Sequence, residues 1–521
     1  MDAVTFALVF LGLATAYLFK AYLRPSRRLP PGPRGWPLIG NLLDMPTSDE
    51  WVRYAQWVRE FKSDVIHLEV CGTHIVILNS VESAVDLLEK RSSLYSSRPP
   101  TPMMSDLMGW SWNTAMLPYN DEWRAQRRHF HGEFDGRAIG KHYPPIIRST
   151  HDLLQRLLDT PEQWQSHIRH LVGATILDVA YGIEVLPADD PYVRTAEAAF
   201  ASVSEAMVPG AFLVDVLPIL KHMPSWMPGA GFKRKAVAWK KLADAVFDAP
   251  FAAMKQAMAA GTAKSSFGSR SLRDIDIKGN VQSQEFSIQA AAGTMYNAGS
   301  DTTVALLETF MLAMVLHPEV QTKAQAEMDL VLGRSNLPTF ADQESLSYLA
   351  AVMQEVFRWQ VVAPFGVPHM STADDEYRGY FIPEGTIVIP NAHQMLNDED
   401  VYPEPSKFKP ERFLKDGKLD LSVRSPLIAA FGFGRRICPG RALGENSAWL
   451  AAGSILTMFN LSKATDHNGV TIEPSGRYTS GLVRHPETFK CQITPRSNEP
   501  RRELAGEIEL ITGRIQESEE A

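Results

Sequence analysis

Cysteine is nearly missing from this chain: 3 in 521 residues, at Cys71, Cys438 and Cys491. So sparse and odd a set excludes a disulfide framework. It fits a reducing compartment for the bulk of the chain. No cysteine or histidine cluster has the spacing of a zinc site. No internal repeat stands out, and no block of basic residues occurs. The net charge of -8 argues against nucleic acid as a main partner. A GxGxxG fingerprint between a strand and a helix is also absent, and no other dinucleotide or flavin motif stands out. What remains, at 45% hydrophobic and 21% charged residues, is the composition of a globular protein.

Charge is missing locally as well. Val4 to Phe19 carries none, and Lys20 is the first charge before Arg24. Residues 3 to 23 would form a helix long enough to cross a bilayer, at about 1.5 Å per residue. A signal peptide would start with a positive segment, whereas this chain starts Met1-Asp2-Ala3, although Ala14-Thr15-Ala16 has the form of a cleavage site. Lys20, Arg24, Arg27 and Arg28 place the following end in the cytosol. Expected, then, are a transmembrane anchor over residues 1–24 and a Pro-rich hinge over 25–40, around Leu29-Pro30-Pro31-Gly32-Pro33.

The body is expected over residues 41–496. Residues 65–70 and 74–78 read as two strands of a hairpin around Cys71-Gly72-Thr73. Helical patterns run from about 144 to 260, broken between Pro209 and Gly231 by a strongly apolar stretch. Residues 261–283 read as a surface loop. One long helix follows over 284–317, stopped at His317-Pro318. Ser347 stands where it could cap the next helix, and residues 497–521 read as a polar tail, flexible or partly helical.

Chemistry concentrates at Phe431-Gly432-Phe433-Gly434-Arg435-Arg436-Ile437-Cys438-Pro439-Gly440. Glycines let backbone approach a large flat group. A thiolate needs cations and N–H donors, and a helix N-terminus just after it supplies both a dipole and free N–H groups. Such a sulfur can ligate a metal as an anion; the plainer reading is a structural cysteine in a turn. Trp123 and Arg127 share a helix face. Within the long helix, Ala298-Gly299-Ser300-Asp301-Thr302-Thr303 puts an acid and hydroxyls beside a glycine that could open the helix ladder, a possible proton path. Glu355 and Arg358 lie one turn apart and can pair.

Phe431, Gly434, Arg436, Cys438 and Gly440 match F-x-x-G-x-R-x-C-x-G, so the chain resembles the cytochrome P450 family. Residues 298–303 match that family's A-G-x-D-T-T, and Trp123 and Arg127 match its W-x-x-x-R. Glu355 and Arg358 match ExxR, and Pro410-Glu411-Arg412-Phe413 follows in the family's order. The resemblance covers residues 30–495. It implies a mainly α fold with a small β-rich lobe and a haem, iron protoporphyrin IX, ligated axially by the Cys438 thiolate. Trp123, Arg127, His369 and Arg436 would hold its propionates, with Phe431 and Gly440 shaping the loop. Asp301 and Thr302 would deliver protons to dioxygen. Glu355, Arg358 and Arg412 would form a structural triad without a catalytic role.

The resemblance also implies partners. NADPH would act through a separate cytochrome P450 reductase docked on Arg124, Arg128, Lys407, Lys409 and Arg435, with cytochrome b5 as a second donor. The body would sit on the cytosolic face of the endoplasmic reticulum membrane. Arg358 to Leu414 resembles basidiomycete members of secondary metabolism similar to O-methylsterigmatocystin oxidoreductase and tryptamine 4-monooxygenase. The expected pocket is apolar, with Met103, Met104, Trp110, Ala298, Val362, Ala363 and Leu482. That favours hydroxylation of a terpenoid or polyketide. An aromatic or indole amine is the alternative, with Asp106 as counter-ion. A haem-thiolate isomerase or dehydratase is the alternative of another class, and Asp301-Thr302 speaks against it.

Overall fold

The computed structural model describes residues 27–509 apart from Asp135, Arg137, Pro209, Ser335, Glu503 and Glu507. The expected anchor over residues 1–24 lies outside the described residues. The chain folds as two compact units. Among the described residues, one unit holds 27–99 together with 368–391 and the other holds 100–367 and 392–509. Helices dominate, with small β sheets, as the sequence predicts.

The smaller unit carries helix α1 (Glu50–Phe61) and strands β1 (Val65–Val70), β2 (Thr73–Leu78), β3 (His369–Met370) and β4 (Ile387–Pro390). Trp51, Tyr54 and Trp57 recur at three-residue intervals on α1, and all three are buried. The β1–β2 hairpin turns on Cys71 (φ 48°) and Gly72 (φ 87°), two successive left-handed residues that match the twist of the strands. The sheet order is β1-β2-β4-β3, with β2 and β4 parallel. The Pro-rich segment expected to be a hinge is docked instead. His67 N–H donates to Pro31 O at 2.9 Å, because a proline-rich backbone still offers its carbonyls. Gly32 makes that approach possible: a Cβ there would collide with the His67 carbonyl.

The larger unit is built on α2 (Asp121–Phe134), α3 (Trp164–Tyr181), α4 (Pro191–Ala206), α5 (Gly231–Ala259), α6 (Val281–Leu316), α7 (Ser347–Trp359) and α8 (Arg441–Met458). Its axis is α6. Asn280 caps it by accepting from Ser283 N–H, and it runs 36 residues to the His317-Pro318 stop. It is the one helix among the described residues apolar and long enough to cross a membrane, but it is mostly buried inside the protein and belongs to the core.

Two local expectations are corrected and a third is narrowed. Residues 267–273 form a short helix inside the expected loop, because Ser266 accepts from Ser269 N–H and Phe267 buries its ring. Ser347 does not cap α7. The carboxylate of Glu327, from the preceding helix, takes the N–H groups of Tyr348 and Leu349 at 2.7 and 3.0 Å. The start of the polar tail takes the helical form, one of the two expected, and it is anchored: Arg501 pairs with Asp159 at 2.6 Å, and Leu504 is buried.

Candidate active site

Helix α8 starts at Arg441 with Gly440 as its N-cap, so Cys438 stands just ahead of the helix. The preceding loop closes when Cys438 N–H donates to Phe431 O at 2.7 Å. Gly432 and Gly434, at φ 75° and 55°, allow that closure. The Phe431 ring packs on Phe357 of α7, with centroids 5.4 Å apart, and Arg441 lies over the same ring. The surrounding protein desolvates the Cys438 thiol and pushes it up although the residue keeps accessible surface, while the Gly440 N–H, Arg127 and Arg441 pull it back toward the thiolate.

Cations gather around this sulfur. Arg127 of α2 donates from Nη2 to Ile437 O at 2.7 Å. Arg436 donates to Thr114 O and Leu117 O at 3.3 and 2.7 Å, with its guanidinium 4.4 Å over the Trp123 ring. Burial lowers both arginines, and the Arg127 charge lowers Arg436 further, to about 9. Two neighbouring cations, Arg436 buried and Arg127 half-buried, favour an anion nearby. Accessible surface lies at Cys438 and, on α6, at Ala298, with Thr302 half-buried, although most of that helix is buried. A flat macrocycle whose metal accepts a thiolate and whose rim bears two carboxylates satisfies this donor set. The residues present therefore fit haem.

His369 belongs to the smaller unit. It opens β3 and donates from Nδ1 to Tyr95 O at 2.8 Å.

Glu355, Arg358 and Arg412 come together behind the cysteine loop. Arg358 donates from Nε and Nη2 to the two Glu355 oxygens at 2.7 and 2.9 Å, and Arg412 Nε reaches both at 3.2 and 3.1 Å. Glu355 and Arg358 are fully buried. The outer arginine nitrogens bind the carbonyls of Leu396, Pro403 and Pro405. The triad thus ties α7 to the segment leading into the cysteine loop.

The acid–hydroxyl stretch of α6 differs from expectation in one respect. The helix is continuous, and Gly299 does not open it. A Cβ there would stand 3.0 Å from Ile176, so the glycine serves the close approach of α3. Thr302 donates its hydroxyl back to Ala298 O at 3.1 Å. Asp301 turns elsewhere, into a buried charge cluster. Its Oδ1 meets Arg169 Nη1 at 3.3 Å and its Oδ2 meets His485 Nε2 at 2.9 Å. His485 Nδ1 lies 2.8 Å from Glu308 Oε2, and Arg169 Nη2 lies 3.6 Å from Glu308 Oε1. Despite burial, the two carboxylates hold His485 well above the usual imidazole range, at about 9. Sequence reasoning missed Arg169, Glu308 and His485. No local pattern announces a partner 184 residues away.

The expected pocket residues divide. Val362 and Leu482 pack on a small cluster of Phe200, Ala305 and Val483, one turn beyond Thr302. Arg484 N–H donates to Val362 O at 2.9 Å and joins the two turns. Ala363 is half-buried. Met103, Met104 and Trp110 are buried in the main core, and the Trp110 ring lies tilted against Trp112, with centroids 5.1 Å apart. Asp106 is not available as a counter-ion: it pairs with Lys221 at 2.8 Å on the surface. The neighbouring Met103 N–H donates to Asp215 Oδ1 at 2.9 Å. In the basic face, Arg124 pairs with Asp121 and Lys407 with Glu404, which leaves less free charge than the sequence suggests.

A family model described as Cytochrome P450 matches residues 30–493. Tryptamine 4-monooxygenase of Psilocybe cyanescens is 42% identical over 96% of this chain and 99% of its own length. Cytochrome P450 monooxygenase ple1 of Rhodocybe pseudopiperita is 44% identical over 94% of each chain. Cytochrome P450 monooxygenase 98 of Postia placenta is 44% identical over 94% of this chain and 95% of its own.

Proposed function

This chain belongs to the cytochrome P450 family of haem-thiolate monooxygenases, and we propose that it hydroxylates a terpenoid or polyketide in fungal secondary metabolism. The observation that carries the substrate class is the apolar cluster of Phe200, Val362, Leu482 and Val483 beside Ala305, one turn along α6 from Thr302. An apolar wall positions a substrate that has little polarity of its own.

Haem, when bound, would supply oxygen activation, and the Cys438 thiolate would hold its iron. The chain does the rest. Arg127, Arg436 and Trp123 would hold the propionates. Gly440 N–H, Arg127 and Arg441 favour the thiolate against the burial that raises the thiol. The Glu355–Arg358–Arg412 triad fixes the cysteine loop. Asp301 and Thr302 pass protons to the oxygen side. Arg124, Arg128, Lys407, Lys409 and Arg435 receive an acidic NADPH-cytochrome P450 reductase, with cytochrome b5 as a second donor. Residues 1–24 anchor the protein in the endoplasmic reticulum membrane with the body in the cytosol, supported by the uncharged run Val4–Phe19 and the cations after it.

A second reading, hydroxylation of an indole amine, is favoured by the similarity to tryptamine 4-monooxygenase. The Lys221–Asp106 pair removes the counter-ion first expected for it. One experiment separates the two. Microsomes carrying this chain and a fungal reductase receive NADPH with sesquiterpenes, polyketide aromatics and tryptamine, and product masses are followed. One added oxygen on a terpene or polyketide supports the proposal. One added oxygen on tryptamine alone overturns it in favour of the amine.

A further inference from the structure

Asp301 is held by two cations from two different parts of the chain. Arg169 reaches it from α3, and His485 reaches it from the loop after Tyr478. Glu308, two turns further along α6, faces the same two cations. Glu197 of α4 stands at the rim, 3.8 Å from Arg169. Arg484 and Tyr478, on the same loop as His485, stack on each other. Tyr478 O–H also donates to Thr309 Oγ1 at 3.3 Å.

The geometry fixes the charge of His485. Both ring nitrogens face carboxylate oxygens, at 2.9 and 2.8 Å. A carboxylate only accepts, so each nitrogen must carry a hydrogen, and the ring is an imidazolium. Burial opposes that charge, and the two carboxylates outweigh it, raising the group to about 9. Arg169 touches the same carboxylate but cannot give up a proton under ordinary conditions. Of the two cations on Asp301, only His485 can release one. The ring is half-buried, so one edge meets water.

We propose that His485 is the positioning residue of this site that also bears its proton: it orients Asp301 and supplies the proton Asp301 passes toward Thr302. The step balances simply. The Nε2–H bond breaks and an Oδ2–H bond forms on Asp301. The ring is left neutral, with Nδ1–H still on Glu308. Asp301 releases its proton on the Thr302 side, where oxygen is reduced with electrons from NADPH through the reductase. Nε2 takes its proton back from solvent water. The proposal rests on the reading that Asp301 and Thr302 serve oxygen activation.

Two measurements test it on the full-length, haem-loaded protein. The first is histidine-selective nitrogen-15 magnetic resonance of the ferrous carbon monoxide form, with His485 assigned through His485→Gln or His485→Arg. The ring should stay doubly protonated to about pH 8. Titration near the ordinary imidazole value, about 6.5, overturns the proposal. The second follows NADPH consumed and peroxide released with reductase and tryptamine as probe; the split of electrons between peroxide and water exists whether or not tryptamine is oxidised. In the unsubstituted protein the peroxide share should rise as pH passes about 9, and a flat profile overturns the proposal. This profile needs no variant, so a folding failure leaves it readable.

Both His485→Gln and His485→Arg should raise the peroxide share, on the order of tenfold if this step limits proton supply. His485→Arg keeps the charge without a transferable proton. A wild-type share in that variant overturns proton supply and leaves a charge alone. Thr302→Ala is the control for the underlying reading. An unchanged share there removes the oxygen-activation role itself, whereas a raised share with His485→Arg unchanged removes only the role of His485.

Discussion

Arg127 Nη2 donates to the carbonyl oxygen of Ile437 at 2.7 Å, tying α2 to the residue directly before the cysteine. The same guanidinium lowers the Cys438 thiol electrostatically. One side chain therefore shapes the loop and charges the sulfur. Replacing it should affect haem retention more than folding.

Arg127→Ala removes a charge-assisted hydrogen bond, a loss of about 1.5–3 kcal/mol. Haem should leave the protein on the order of tenfold faster, measured by transfer to an excess of apomyoglobin. Arg127→Lys should recover part of the effect, because it keeps the charge but not the fork. Equal loss from both variants would show that the fork, not the charge, matters.

Glu355→Gln keeps the shape of the triad and removes its only anion. Arg358 and Arg412 are then left as uncompensated cations, one fully buried and the other nearly so. The expected cost is about 3–5 kcal/mol of stability, read from urea unfolding. A reduced carbon monoxide spectrum that loses its thiolate form should accompany it, since the triad sits behind the cysteine loop. A change below about 1 kcal/mol would show that backbone carbonyls alone suffice to hold the two arginines.

Gly299→Ala should destabilise through crowding. The new methyl would stand 3.0 Å from Ile176, at about 1–3 kcal/mol for overpacking, against roughly 1 kcal/mol gained in helix propensity. In an Ile176→Ala background the same substitution should become stabilising. Thermal unfolding of the four proteins in that cycle decides it. The same sign in both backgrounds would remove the packing explanation for this glycine.

Asp215 predicts a pH effect. Burial pushes its carboxyl up to about 6, and Asp106 adds to this, against the Met103 N–H that lowers it. The folded protein thus holds this proton where the unfolded chain has lost it. Stability falls as pH rises from the ordinary carboxyl range, about 4, through about 6. Asp215→Asn keeps the acceptor for Met103 and abolishes the titration. It should stabilise the fold at about pH 8 by at most about 3 kcal/mol, read as a higher melting temperature, and leave stability unchanged near pH 4. A gain confined to low pH would contradict the burial account.

The sequence made some of this site legible because spacing carried it. Glu355 and Arg358 are three apart on one helix, and the geometry follows from the period. Arg412 is 57 residues from Glu355, yet its motif named it, and the two meet. Where no motif existed, reading failed. His485 and Asp301 meet across 184 residues, and nothing local to either predicts it. Glu327 took the capping role assigned to Ser347, because a carboxylate on a neighbouring helix reached the same N–H groups. Asp106 read as a free acid in an apolar loop until Lys221, 115 residues on, neutralised it. Gly299 read as a weak point in a helix and is instead the place where another helix leans in.

The cluster of Phe200, Ala305 and Val483, with Val362 and Leu482 against it, is a separate island beside the main core. Three of these five side chains lie in non-helical turns or loops. Exchanges there can redraw the shape offered to a ligand without disturbing the helices that keep the protein folded. Inheritance can therefore alter what this enzyme accepts in small steps, each survivable, while the apparatus around the sulfur stays as it is. A laboratory seeking a different product has the same opening: a library confined to these few positions searches new chemistry with few casualties.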